Sequence, residues 1–257
     1  MVSSLLLVTT LLFQNPQTAA TGFRSNTPDK QSSASSTEAS KKISIEERGD
    51  IFMARKMYRE ALEMYKTGPA DSAVLANKIG IAYHQLLDLS DARRFYERAI
   101  KLRPDYSEAI NNLGTIYYAN KSYRRAIAQY KKALRIAPQS ASILSNLGTA
   151  YFERKNYQLA FDTYQQALAL DPDVFEHRSS VGTLLQERSV AERAKYHYYI
   201  AKTYAKKGDV EHALIYIRKA LEEGFKEREK FSQDPEFAIV RDNPEFKEMI
   251  AAEHKVL

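Results

Sequence analysis

The chain contains no cysteine and no tryptophan. Without cysteine there is no disulfide, no thiol nucleophile, no cysteine-held zinc and no cysteine for a lipid anchor. No segment approaches the roughly 20 consecutive apolar residues of a membrane-spanning helix; the nearest is Leu5–Phe13, and charge is missing from the first 22 residues altogether. Signatures of catalysis are missing too: no Gly-rich phosphate loop, no His-Glu-x-x-His and no Gly-x-Ser-x-Gly. The five histidines, His84, His177, His197, His212 and His254, never pair at the spacing of helix-borne metal ligands. These absences predict a chain that is not an enzyme and that carries no cofactor and no metal.

Glycine and proline are sparse, at nine and eight residues, so their placement is informative. Gly80, Gly114 and Gly148 stand 34 residues apart, and so do Pro104, Pro138 and Pro172. Between them the same register carries Tyr83, Tyr117 and Tyr151, then Ala92, Ala126 and Ala160, then Tyr96, Tyr130 and Tyr164, then Ala99, Ala133 and Ala167. Apolar Ile79, Leu113 and Leu147 precede the glycines. Within one copy, Asn111, Gly114, Tyr117 and Tyr118 recur every three to four residues, the period of one helix face, and Ala126, Tyr130 and Ala133 do the same further on. Small Gly114 and Ala126 permit close approach of the two helices. Proline lacks an N–H donor and cannot continue a helix, so each Pro ends a hairpin. One such hairpin cannot bury its own apolar face, so successive copies must stack.

The segments LGTIYYANKSYRRAIAQYKKALRIAP (113–138) and LGTAYFERKNYQLAFDTYQQALALDP (147–172) resemble tetratricopeptide repeats. Residues 73–174 carry the resemblance strongly. The tryptophan slot of that family holds Ala76, Ile110 and Leu144 here, which are apolar and serve the same packing. The resemblance implies an all-α fold: a right-handed superhelical solenoid of helix–turn–helix hairpins with a helical C-terminal cap. Repeats are expected at 73–106, 107–140 and 141–174. A degenerate N-terminal copy at 42–72 centres on Gly49, and a second degenerate copy at 194–227 places Ala201 in the glycine slot with Tyr204, Ala213, Ile217, Ala220 and Phe225 following. Between the last two lies an irregular insertion and helix start at 175–193, where Ser189 and Glu192 form the capping-box pattern of a helix that runs to Lys207-Gly208. Asp234-Pro235-Glu236-Phe237 and Asn243-Pro244-Glu245-Phe246 each read as a helix start, and residues 228–257 form the cap.

The N-terminus is organised differently. The uncharged run with Thr18-Ala19-Ala20 after it fits a secretory leader, residues 1–20, followed by a Ser/Thr-rich linker at 21–41 too poor in apolar side chains to fold. This predicts an exported chain, periplasmic or secreted; the lack of a basic residue ahead of the run leaves a cytoplasmic location as the alternative.

The resemblance further implies that the first helix of each hairpin lines a concave groove. The slots on that face hold Asn77, Lys78, Asn111, Asn112, Thr115, Tyr118, Asn146, Thr149 and Phe152. Asparagine can both donate to and accept from a peptide backbone, so the expected partner is an unidentified protein or an extended peptide. The Lys/Asn clamp of chaperone-tail receptors is absent from the corresponding positions, Glu46/Asp50, Asn77/Ile81, Asn111/Thr115 and Ser145/Thr149. Residues 91–138 contain eleven Lys/Arg against four acids. A basic outer face with Arg94, Arg98, Arg125 and Lys132 is therefore the alternative binding surface, for an acidic protein, a membrane surface or a nucleic acid.

Overall fold

A computed structural model describes residues 43–176 and 189–252, all within one compact unit. Among the described residues there is no strand; helices follow one another in antiparallel pairs. The pairs are α1 (Ile45–Ala54) with α2 (Tyr58–Lys66), α3 (Ala73–Gln85) with α4 (Leu89–Leu102), α5 (Ser107–Ala119) with α6 (Tyr123–Ile136), α7 (Ala141–Glu153) with α8 (Tyr157–Leu170), and α9 (Val190–Lys207) with α10 (Val210–Glu222). The unit is an all-α helical-repeat solenoid. The leader, the Ser/Thr-rich linker and residues 177–188 of the insertion lie outside the described residues, as do His177 and His254.

The glycine slot exists because a tyrosine occupies the space a Cβ would need. A Cβ on Gly80, Gly114 or Gly148 would lie 2.5–2.6 Å from the ring of Tyr96, Tyr130 or Tyr164, and one on Gly49 only 2.1 Å from Tyr65. Real side chains do not approach so closely, so the two helices of each hairpin meet edge to ring with no side chain between them. All four tyrosines are buried, at 0–1 % exposure. The fifth hairpin exchanges both partners at once: Ala201 stands in the glycine slot and the smaller Ile217 in the tyrosine slot, both fully buried. The added methyl on one helix is matched by the lost ring on the other, a volume-conserving swap of the kind cores tolerate.

Seven residues after each glycine slot the chain turns left-handed: Lys56, Leu87, Lys121, Lys155 and Gly208 have φ of 56–91°. In each case the following N–H reaches back five residues, as Ser122 N does to the Tyr117 carbonyl at 2.8 Å, while the N–H of the left-handed residue itself bonds three back. This pair of bonds satisfies the carbonyls that the helix end leaves open. Only Gly208 adopts the conformation without steric cost; the other four are held there by the hairpin.

Second helices end where proline forces an extended residue ahead of it. Arg103, Ala137 and Asp171, each directly before the slot proline, have φ of −124 to −142°, the region a following proline imposes. The fifth hairpin has Phe225 there instead, and Gly224 at φ 77° closes α10. Ser189 and Glu192 form the expected capping box at the start of α9. The two look-alike tetrapeptides behave differently. Asn243 accepts from the backbone N–H groups of Glu245 and Phe246 and opens α12 (Pro244–Ala251). Asp234 caps nothing with its side chain and is followed by a 3-10 turn, Pro235–Val240. Phe237 and Phe246 are both buried, and with Phe231 of the short α11 (Glu229–Gln233) and Tyr198 of α9 they close the end of the stack.

Candidate functional site

The residues flanking each glycine on the first helix do not act alone; they connect consecutive hairpins. Asn112, two before Gly114, donates from Nδ2 to Oδ1 of Asn77, three before Gly80, at 3.0 Å. Asn146 donates to Asn111 in the same way, also at 3.0 Å. Lys78 holds the equivalent position one hairpin earlier and pairs with Glu46 at 3.1 Å and with Asp50 at 2.6 Å. The residue two before each glycine therefore reaches back to the residue three before the preceding one, three times in succession. Tyr65 donates to the same Asp50 at 2.7 Å. Burial would raise the Asp50 carboxyl, but the bonds from Lys78 and Tyr65 outweigh it and hold it below its ordinary value.

This arrangement leaves the predicted groove residues unevenly accessible. Lys78, Asn111 and Asn112 are half-buried, with Ile81 beside them. Asn77, Thr115, Tyr118, Asn146, Thr149 and Phe152 are buried. Thr149 accepts from the hydroxyl of Tyr164 at 3.2 Å, and Tyr118 donates to Glu153 at 3.2 Å. Phe152 is enclosed by the rings of Tyr157, Tyr196 and Tyr199 at 5.3–5.9 Å. Tyr196 and Tyr199 belong to α9, so the fifth hairpin covers the first-helix face of the fourth, and the face stays most open along α3 and α5.

Two groups of the open stretch have no protein partner among the described residues. Asn111 spends its Oδ1 on Asn146, leaving Nδ2; Asn112 spends its Nδ2 on Asn77, leaving Oδ1. Adjacent residues thus present one amide donor and one amide acceptor.

The basic face is partly neutralised within the chain. Arg94 pairs with Asp91 at 3.0 Å, and Arg98 donates to the Ala70 carbonyl at 2.6 Å. Arg125 lies over the Tyr117 ring at 5.9 Å and Lys132 is half-buried. At the turn between α5 and α6, by contrast, Lys121, Arg124, Arg125 and Arg154 border an open cleft of about 560 Å³. The sequence pattern did not single out Lys121, Arg124 and Arg154, because they come from two hairpins and share no repeat slot.

Among the described residues no cluster of histidine and acidic side chains could hold a metal ion, and no helix is long and apolar enough to cross a membrane. His197 is paired with Glu223 at 2.7 Å and His212 with Asp209 at 2.9 Å. Burial lowers the His84 imidazole, and burial lowers His197 despite the Glu223 carboxylate.

Helix pairs, glycine-to-tyrosine packing and the repeated turn define a class of right-sized helical hairpins stacked into a solenoid. Sequence profiles of the tetratricopeptide repeat match residues 105–173 in one case and 74–106 and 194–223 in another. The chain is a tetratricopeptide-repeat protein, a family of protein-interaction scaffolds. Among solved structures, residues 41 to the end of MamA from Desulfovibrio magneticus RS-1 are similar at 22% identity, covering 74% of this chain and 95% of that one, with a TM-score of 0.48. MamA of MSR-1 is 25% identical over 70% of this chain and 94% of its own, with a TM-score of 0.46. The second repeat domain of human RPAP3, solved with the HSP70 peptide SGPTIEEVD, is 24% identical over 42% of this chain and 92% of its own, with a TM-score of 0.40. No curated protein matches the chain.

Proposed function

We propose that this chain is a non-enzymatic scaffold that holds an extended segment of a protein partner against the first-helix face of α3 and α5. The observation that carries the reading is the neighbouring pair of uncommitted amide groups, Nδ2 of Asn111 and Oδ1 of Asn112. A peptide backbone offers one donor and one acceptor per residue, and half-buried amides that lack partners gain most from meeting it. Asn111→Asp isolates the contribution: the carboxylate still accepts from Asn146, while the free donor is lost. Immobilised protein is used to recover and identify a partner, and the variant is then compared with the parent. Weaker retention at unchanged melting temperature supports the reading; equal retention by a folded variant rejects it.

We also propose that the chain is exported, with cleavage near Ala20, on the strength of the uncharged apolar run and the small residues after it. N-terminal sequencing of the protein recovered from fractionated cells tests this. Recovery of intact Met1–Phe13 on the cytoplasmic protein would reject it.

A further inference from the structure

We infer that the cleft between the third and fourth hairpins, bordered by Lys121, Arg124, Arg125 and Arg154, is a binding site for a cluster of carboxylates on an acidic peptide segment. The inference rests on the scaffold reading and names the chemistry of the segment held.

The first turn of a helix carries exposed N–H groups and favours negative charge. The second helices of the other hairpins carry an acid there or stay neutral: α4 has Asp91 in its first turn, α10 has Glu211, α2 sets Glu60 beside Arg59, and α8 has no charge. Helix α6 has no acid in its first turn and instead carries Arg124 and Arg125. Lys121 stands just before them and Arg154 comes from the matching turn of the next hairpin. All four are exposed, no acidic residue lines the cleft, and none of the four makes an ion pair among the described residues. At Arg124 and Arg125 that preference is broken twice with no internal compensation, which marks a surface shaped for something else. Complementing the helix dipole explains Lys121 and Arg154 at the ends of α5 and α7, and not Arg124 and Arg125 in a first turn.

Charge distribution selects the ligand class. A nucleic acid or a membrane needs cations spread along a track or a plane. Here Arg94 and Arg98 of the neighbouring hairpin are already engaged by Asp91 and Ala70. The cleft gathers four cations that lack an ion pair among the described residues into one site, with three planar guanidinium groups able to donate to carboxylates in forked geometry. A run of acidic residues in an extended segment meets that description.

Fluorescence anisotropy on the full chain tests it, with a labelled peptide of six consecutive glutamates flanked by Gly-Ser as the probe. Binding should weaken with rising salt. The triple variant Arg124→Glu, Arg125→Glu, Arg154→Glu should bind at least tenfold more weakly. The control Arg48→Glu, Lys206→Glu, Lys226→Glu makes the same change in net charge at exposed positions elsewhere and should bind within about twofold of the parent. Glutamate suits the first turn of α6 at positions 124 and 125 and opposes the helix dipole at position 154, the C-cap of α7. The cleft variant should therefore melt close to the parent temperature, and thermal unfolding by circular dichroism separates lost binding from lost folding. Equal losses in the two triples, no binding of the probe at low salt, or cleft-dependent binding of phosphatidylserine vesicles in preference to the peptide would each overturn the inference. A partner whose retention depends on Asn111 but ignores the cleft triple would overturn it as well, while leaving the scaffold reading intact.

Discussion

Asn146 Nδ2 donates across 3.0 Å to Asn111 Oδ1, joining the first helices of two hairpins 35 residues apart in sequence. Asn112 and Asn77 repeat the contact one hairpin earlier. Each such bond contributes about 0.5–1.5 kcal/mol net, and more where its removal leaves a buried partner unsatisfied. The double change Asn112→Ala, Asn146→Ala should therefore lower the melting temperature by about 3–8 °C in a domain of this size. Thermal unfolding followed by circular dichroism measures it; an unchanged transition would mean that these rungs add nothing to the stack.

The glycine-to-tyrosine contact predicts a rescue. Gly114→Ala places a Cβ 2.5 Å from the Tyr130 ring, an overpacking that costs about 1–3 kcal/mol or more. Adding Tyr130→Ile reproduces the Ala201/Ile217 pairing of the fifth hairpin and should recover part of the loss. The two changes should couple strongly in a double-mutant cycle by denaturant titration. Additive effects would show that the ring does not define the slot.

The left-handed turn residues predict opposite signs at equivalent positions. Leu87 has φ 62° and a side chain 79 % exposed, so it bears strain and buries nothing. A left-handed conformation costs a non-glycine residue roughly 1–2 kcal/mol, and glycine returns roughly 0.4–1 kcal/mol of that through the freer unfolded chain. Leu87→Gly should thus stabilise by about 0.5–1 kcal/mol. Gly208→Ala, at φ 91°, should destabilise by about 1 kcal/mol. Urea titration of both variants checks the pair, and equal signs would contradict the strain account.

Histidine burial sets a pH dependence. The imidazole of His197 is lowered from its ordinary 6.5 by burial, with Lys219 and Arg193 acting in the same direction and Glu223 against it. Between the lowered value and 6.5 the unfolded chain binds more protons than the folded one, so stability is full above 6.5 and falls as the pH drops through that window. His84 is lowered by burial and adds in the same sense. The melting temperature should fall between about pH 7.5 and about pH 5.5, and His84→Gln with His197→Gln should flatten that slope. A slope unchanged in the double variant would place its origin elsewhere.

What the sequence revealed depended on whether a slot keeps one side chain. Gly114, Tyr130, Ala133 and Pro138 recur as identities because each fills a fixed volume or bars a fixed bond, and so the hairpins could be read directly. The left-handed slot escaped because Leu87 and Gly208 interrupt the lysines at 56, 121 and 155; only the backbone conformation repeats through all five. The asparagines were visible as slots, but their engagement with one another was not, since it depends on how one hairpin is placed on the next. Asp234 and Asn243 look alike in sequence. They part company because Lys202 at 2.7 Å and the Tyr198 hydroxyl draw the Asp234 carboxylate away from its own helix start. The basic cleft was hidden for the related reason that Arg154 joins Arg124 and Arg125 only after two hairpins are stacked.

The rungs between hairpins have a consequence for how such a chain can change length. The first helices α3 and α5 each receive a bond from the first helix after them and give one to the first helix before them, and the two ends of that exchange, Asn111 and Asn112, are neighbours on α5. Tandem duplication of residues 107–140 would set a second Asn112 against the first Asn111, with the same atoms facing one another. The chain can therefore be lengthened or shortened in whole units of 34 residues without any new contact having to be invented, whereas an insertion of any other size at that junction would break a rung.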